Sequence, residues 1–260
     1  LVGRIFFGLG ANLKEKLFPT PPPAPTVLFG SLPKVKFPKN AWTGKTDTLS
    51  FTIDTIKGSL PAFPDQTKVY KRSFAKPSLL SLEQARKTVS LLGFSKNEKA
   101  ITLTRYQWED PTEAERIIQF DIVSKNFDMT SDFYHDREVL LAKGLPNQND
   151  AVTLAVKFLS RLNLLPNNVD AANAKVSFFT IEGASLIETT SLAKATIVRV
   201  DLPRLPVEGV PINHELLSRS PINFLIGGSE RSGSKIVEAH FFYQAIEVSE
   251  HSTYPIKTAQ

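Results

Sequence analysis

The sequence contains no cysteine, a single methionine and no long uninterrupted hydrophobic run. Without thiols the chain has no disulfide framework, no thiolate zinc or iron–sulfur site and no cysteine nucleophile. The apolar opening, residues 1–10, is broken by Arg4 and is shorter than the about 20 apolar residues that span a bilayer. Of the 260 residues, 42% are hydrophobic and 22% are charged. This composition is typical of a folded globular protein.

The excess of positive charge lies at the amino-terminal end. Six of the 31 basic and one of the 26 acidic side chains fall in residues 1–40, which leaves 25 of each kind in residues 41–260. The pI of about 9.3 suggests nucleic-acid binding, but a body without net charge does not have the basic excess that such binding uses. The distribution instead fits a basic segment at an anionic membrane surface, and nucleic acid is not expected among the partners.

An apolar segment and a proline-rich stretch open the chain. Residues 1–18 are apolar and then basic, and residues 19–25 include five prolines, which favour an extended, semi-rigid stalk. The first segment is either the end of a transmembrane or interfacial helix, or an ordinary helix docked on the domain. We favour the membrane interpretation, because a stalk directly after such a segment holds a domain away from a bilayer. We also expect the natural protein to extend before Leu1 and beyond Gln260.

Two stretches have the pattern of amphipathic helices, and strands follow each. The first helix is expected at 81–92, with a capping box of Ser81 and Gln84, and the second at 147–162. Strands are expected at 48–54, 68–74, 100–108, 116–123, 175–182, 195–202, 222–226 and 235–248. The order predicts an α+β fold of two tandem helix-plus-antiparallel-sheet modules. Residues 1–40 are the membrane-proximal segment and stalk, 41–140 the first module, and 141–260 the second, truncated at its carboxyl end.

The helix opening Ser81-Leu82-Glu83-Gln84-Ala85, followed by a two-stranded meander, resembles that of PepSY-type domains. These are small helix-plus-sheet units of exported bacterial proteins, protease propeptides and membrane-anchored sensor accessories. The resemblance covers residues 81–123 and 147–202, and residues 126–130 lack the glycine of the family's Asp-x-x-Gly-like turn. It implies an extracytoplasmic domain of the bacterial cell envelope that binds and regulates, and it carries over no catalytic residue.

Residues with catalytic potential form no complete motif. His214 and Glu215 begin the HExxH zinc pattern, but Ser218 stands where the second histidine is required. His135 precedes Asp136, and a carboxylate beside an imidazole can orient it for general-base work. If the chain is a cell-envelope hydrolase acting on glycan or peptide, these two pairs are its candidates and must converge in one pocket. The acidic residues 109–115 lack the spacing of a calcium loop, and we expect neither a metal nor a cofactor.

The last predicted strand carries a polar face. Val237, Ala239 and Phe241 are expected on the apolar side, and Glu238, His240 and Gln244 form a possible binding surface on the other. The function expected first is that of a non-catalytic, membrane-anchored extracytoplasmic domain that binds a protein or an envelope component. Binding would use a sheet edge or the groove between modules. The hydrolase is the alternative, and nucleic-acid binding is disfavoured.

Overall fold

The computed structural model of the chain describes residues 23–34, 64–95, 97–113, 115–141, 144–213, 220–229 and 233–256. The predicted strand at 48–54 lies outside them, as do residues 1–22, His214 and Glu215. In the part of the chain that the structure describes, no helix is long and apolar enough to cross a membrane. The described chain divides into two compact units. The smaller contains residues 23–34, 64–71 and 247–256, and the larger contains residues from 72 to 246.

The described residues form eleven strands and three α-helices. The helices are α1 (Ser81–Ser90), α2 (Arg137–Leu141) and α3 (Gln148–Arg161). The strands are β1 (Gln66–Arg72), β2 (Glu98–Ala100), β3 (Arg105–Glu109), β4 (Ile117–Asp121), β5 (Phe127–Thr130), β6 (Lys175–Glu182), β7 (Ser185–Thr189), β8 (Ile197–Leu202), β9 (Ile222–Ser229), β10 (Gly233–Phe241) and β11 (Ile246–Pro255). Strands hold 38% of the described residues and helices 17%, so the fold is mostly β.

Strands β2 to β10 pair into one nine-stranded antiparallel sheet, in the order β2-β3-β4-β5-β10-β9-β8-β6-β7. The predicted fold of two tandem modules is therefore wrong, since the strands that follow α1 and those that follow α3 belong to the same sheet. The two sets meet at β5 and β10, where Met129 lies opposite Ala239. Two separate sheets would have left both of these strands as open edges with unpaired backbone groups, and their pairing removes both edges.

Helices α1 and α3 cover the same face of this sheet and share one core. Ala85 and Val89 of α1 are at most 2% exposed, and Ala155 and Leu159 of α3 are fully buried. They pack with side chains from both halves of the sheet, including Trp108, Ile118, Phe120, Phe127, Met129, Val198, Val200, Phe224, Ile226, Ala239 and Phe241. A continuous core of this kind makes the two halves unfold as one unit.

Helix α1 begins at Ser81, where the sequence predicts it, but its first turn is not capped in the predicted way. The N-cap residue is Leu80, which makes no side-chain capping bond, so the predicted capping box of Ser81 and Gln84 is wrong. Ser81 is buried as the first residue of the helix, and its Oγ accepts a hydrogen bond from the backbone N–H of Ser78 at 3.0 Å. Burial thus directs this hydroxyl toward the preceding turn and away from the free amides of the helix.

Helix α3 begins with a side-chain cap at Asn147. Asn147 has an extended backbone, and its Oδ1 accepts a hydrogen bond from the Asp150 N–H at 3.0 Å. We predict that Asn147→Ala lowers the free energy of unfolding by about 1 kcal/mol, because one helix amide loses its acceptor. Asn147→Ser keeps an acceptor and serves as the control. Urea denaturation followed by circular dichroism measures both, and equal stability of the two variants would contradict the capping role.

A β-bulge changes the face on which Val237 lies. Ile236 pairs with Ile226 and Glu238 with Leu225, so Val237 is an extra residue in β10. The predicted grouping of Val237 with Ala239 and Phe241 is therefore wrong. Val237 belongs instead to a second cluster, on the face opposite α1 and α3, whose other buried members are Phe133, Val139, Ile197 and Leu225.

The smaller unit consists mainly of β1, β11 and a segment that adds to β11. Residues 26–30, from the predicted membrane-proximal segment, are held by backbone and hydroxyl groups of that strand. The Val27 N–H donates to the Thr253 carbonyl at 3.1 Å, and the Tyr254 hydroxyl donates to the Gly30 carbonyl at 3.1 Å. The predicted single strand at 235–248 is thus two strands, β10 and β11, which belong to different sheets.

Candidate binding site

His240 lies between two carboxylates on the sheet face opposite α1 and α3. Glu238 precedes it by two residues in β10, and Asp128 of β5 is its direct cross-strand neighbour. Its Nδ1 is 2.7 Å from Asp128 Oδ1, and its Nε2 is 2.6 Å from Glu238 Oε1. Each ring nitrogen faces an acceptor, which is the arrangement that a doubly protonated imidazolium satisfies.

Electrostatics keep this imidazole charged. Burial lowers the pKa of His240, but the hydrogen bonds and charges of Asp128 and Glu238 outweigh burial and raise that pKa to about 9. Burial raises the pKa of Asp128, yet hydrogen bonds from His240 and Arg105 hold it below its usual value. At neutral pH the ring has no free nitrogen to take a proton, so His240 does not act as a general base.

The same polar row continues on both sides of His240. On one side the Arg105 guanidinium lies 2.5 Å from the second oxygen of Asp128. On the other side stands Asn223, which is the cross-strand neighbour of His240 in β9 and is 5% exposed. Its side-chain amide donates to the Ser220 carbonyl at 2.9 Å. Hydrogen bonds thus link Arg105, Asp128, His240 and Glu238 into one row, in which the buried Arg105 Nε has no hydrogen-bond partner among the described residues.

Gln244, the third residue of the predicted surface, has other partners. It follows the end of β10, and its Nε2 donates to the Ser73 carbonyl at 2.5 Å. It lines a cleft of about 440 Å³ with Thr104, Asp121 and Tyr243. The structure therefore brings Glu238 and His240 into hydrogen-bond contact and places Gln244 in a separate cleft.

The predicted pair of His135 and Asp136 is divided between different partners. The His135 side chain is 78% exposed, and its Nδ1 lies 2.7 Å from Asp132. Asp136 accepts the backbone N–H of Glu138 at the start of α2 and lies 2.5 Å from the Lys235 Nζ. Asp132, and not Asp136, therefore orients this imidazole. His214 and Glu215, the other two candidates, lie outside the described residues.

The acidic residues between β3 and β4 stabilise their own turn. Oδ1 of Asp110 accepts the backbone N–H groups of Thr112 and Glu113, and its other oxygen is paired with Arg116. Burial raises the pKa of Asp110, but the hydrogen bonds from Thr112 and Arg116 outweigh burial and hold that pKa below its usual value. Among the described residues, no group of three or more His, Asp or Glu side chains is placed to hold a metal ion.

A cleft of about 530 Å³ opens beside the two helices on the other face of the sheet. Its apolar side chains are Leu91 and Leu92 at the end of α1, Leu154 and Phe158 from α3, and Ile236 from β10. Leu91 is 45% exposed, whereas the other four are partly buried. An apolar floor with partial exposure is typical of a surface that receives a ligand or a partner side chain.

The rim of this cleft is basic. Arg116, Lys157, Arg161 and Lys235 line it together with a single acidic residue, Glu113. Burial lowers the pKa of Lys235, but hydrogen bonds and charges of Asp136 and Glu113 raise it above its usual value, so this amine stays protonated. Lys157 and Arg161 are exposed, and neither has an ion-pair partner within the part of the chain that the structure describes.

Comparisons with known proteins identify no relative. No family model matches the chain, and neither a curated protein nor a solved structure matches it. The resemblance to PepSY-type domains therefore stays a prediction.

The residues that line this cleft were not among the predicted site residues. Their signal in the sequence is local: Lys157 and Arg161 are one helical turn apart in α3, next to the apolar Leu154 and Phe158 on the same side. The other wall comes from α1 and β10, and no spacing along the chain places those residues opposite α3. Glu238 and His240 were assigned to one face of the strand because alternation in a strand assigns faces directly.

Proposed function

We propose that this chain is a non-catalytic, membrane-anchored extracytoplasmic domain that binds another protein or an envelope component. The observation that carries the proposal is the cleft of about 530 Å³ beside α1 and α3, with its apolar floor and basic rim. Partly exposed leucine and phenylalanine side chains gain most from a partner that covers them. The anchoring itself rests on the sequence of residues 1–25.

The hydrolase alternative is not proposed. Of its candidates, His135 and Asp136 engage separate partners, and Lys235 beside Asp136 is held in its charged form. An amine or imidazole must lose its proton to act as a base or nucleophile. The described residues at the cleft are thus suited to holding a ligand by charge and apolar contact.

The proposal is tested by affinity capture with the full chain as bait and the membrane fraction of the source cells as prey. The cleft variant is Leu91→Gln/Leu154→Gln, which replaces two apolar lining side chains by polar ones. The control is Leu79→Gln/Leu103→Gln, which makes the same change at two almost fully exposed positions away from the cleft.

We expect the cleft variant to recover at least about fivefold less of a specific partner than the control, because buried apolar contacts are lost. Quantitative mass spectrometry measures the recovery, and circular dichroism checks that both variants are folded. Equal recovery by the two variants, or the absence of any specific partner, would overturn the proposal.

A further inference from the structure

A second cleft lies beside the same two helices, at another position along them. It measures about 340 Å³ and is lined by Ser81, Ala85 and Thr88 of α1 and by residues 162–164, directly after α3. The first cleft is lined by the opposite end of α1 and by earlier residues of α3. The two clefts therefore lie at successive positions along α1 and α3, with no lining residue in common. We call the two clefts together the helix groove.

The helix groove carries four exposed cations that the fold does not neutralise. Lys157 and Arg161 line the first cleft, and Lys87 and Lys125 line the second. None of the four has an ion-pair partner among the described residues. The one lining carboxylate of the two clefts, Glu113, is occupied by Lys235 at 3.3 Å. The groove thus presents positive charge to whatever enters it.

Partly buried apolar side chains line both clefts beside these cations. In the first cleft they include Leu92, Leu154 and Phe158, and in the second Ile122 and Leu164. The two chemistries together match a segment with apolar residues on one side and carboxylates on the other. The lining positions of the two clefts run from Leu154 to Leu164, which at about 1.5 Å per helical residue is roughly 15 Å and matches a partner helix of about three turns.

We propose that the helix groove binds an acidic amphipathic segment of a partner protein. The apolar side chains of the segment pack on the groove floor, and its Asp and Glu side chains pair with Lys157 and Arg161 at one end and with Lys87 and Lys125 at the other. The inference rests on the proposed function and adds the chemistry of the partner. A peptide suits this groove better than nucleic acid, because residues 41–260 have no net charge and the floor is apolar.

The test selects ligands from a displayed library of random 14-residue peptides with the full chain as bait. We expect the enriched peptides to be acidic, with apolar residues at helical i, i+3, i+4 and i+7 spacing. The best peptide is then measured by fluorescence polarisation against three proteins. These are the unmodified chain, the groove variant Lys157→Glu/Arg161→Glu, and the control Lys175→Glu/Lys194→Glu, which makes the same charge change at exposed positions outside the groove.

The groove variant is expected to bind at least about 30-fold more weakly, because carboxylates now face carboxylates, whereas the control binds within about twofold of the unmodified chain. Binding of the unmodified chain is also expected to weaken as salt is raised. The proposal is overturned if no acidic peptide is enriched, or if both variants lose affinity equally. It is overturned as well if only a single-stranded oligonucleotide or phosphatidylglycerol vesicles bind in a manner that depends on Lys157 and Arg161.

The two proposals fail in distinguishable ways. A partner that is captured from membranes through Leu91 and Leu154, but binds the Lys157→Glu/Arg161→Glu variant as well as the unmodified chain, supports the proposed function and contradicts an acidic partner. The absence of any captured partner, together with tight and charge-dependent binding of an acidic peptide, contradicts the capture from membranes and leaves the groove chemistry supported.

Discussion

Replacing Phe127 by alanine is expected to lower the free energy of unfolding of the nine-stranded sheet by about 3 to 5 kcal/mol in one cooperative transition. Phe127 is 1% exposed and lies in β5, at the junction of the two halves of the sheet. Its ring stacks on Phe241 at 5.5 Å and on Phe120 at 6.0 Å between centroids, and it meets Phe158 of α3 at 6.4 Å. Alanine leaves a cavity where β4, β5, β10 and α3 meet.

The measurement is chemical denaturation combined with hydrogen exchange by mass spectrometry. If the sheet and its helices unfold as a single unit, peptides from α1 and from β8 lose their protection from hydrogen exchange together, although they lie on opposite sides of the β5–β10 junction. The control Leu103→Ala, at a side chain that is 95% exposed, is expected to change stability by less than about 0.5 kcal/mol. Loss of protection confined to residues 81–130 would show that the two halves fold independently and would contradict the shared core.

The second large effect is a pH-dependent loss of stability on replacing His240 by glutamine. The pKa of His240 in the folded chain is about 9, above the ordinary histidine value of 6.5, so its contribution is fully present below pH 6.5 and disappears as the pH rises through 9. The shift corresponds to an upper limit of about 3 kcal/mol. The groups that face His240 are Asp128 from β5, Glu238 from its own strand and Asn223 from β9, with Arg105 behind Asp128.

Thermal unfolding of both proteins from pH 5.5 to pH 10 tests this expectation. The difference in stability between the unmodified chain and His240→Gln is expected to be largest near pH 6 and to shrink steadily above pH 7. Asp128→Asn is a useful companion variant, because it removes one of the two carboxylates and therefore lowers the pKa of His240. A stability difference that stays constant over this pH range would indicate that His240 contributes by packing alone.

The sequence predicted those features that depend on local spacing. The helix near 147–162 and the strand at 175–182 are confirmed, because helical periodicity and alternation act within a few residues. The face of His240 was also correct for this reason. The bulge at Val237 was missed, since Val237, Ala239 and Phe241 still alternate with the polar Glu238 and His240, and the apolar Ile236 before them gives no sign of an additional residue.

The long-range arrangement could not be read from the sequence in the same way. Pairing of β5 with β10 joins Met129 to Ala239, more than 100 residues apart, and nothing in either strand specifies the other. His240 and Asp128 are likewise more than 100 residues apart in the chain. The sequence alone therefore did not indicate that a carboxylate lies beside this imidazole and keeps it charged. The tandem-module prediction followed from the order of elements, and that order is equally compatible with one continuous sheet.

The hydrogen bonds between residues 26–30 and β11 have a mechanical consequence. They join positions that are 224 to 227 residues apart in the chain. Strands β1 and β11 pair with each other, and in the sequence they lie before and after residues 73–245. A force that pulls residue 23 away from residue 256 acts directly on these bonds, so within the smaller unit we expect them to break first.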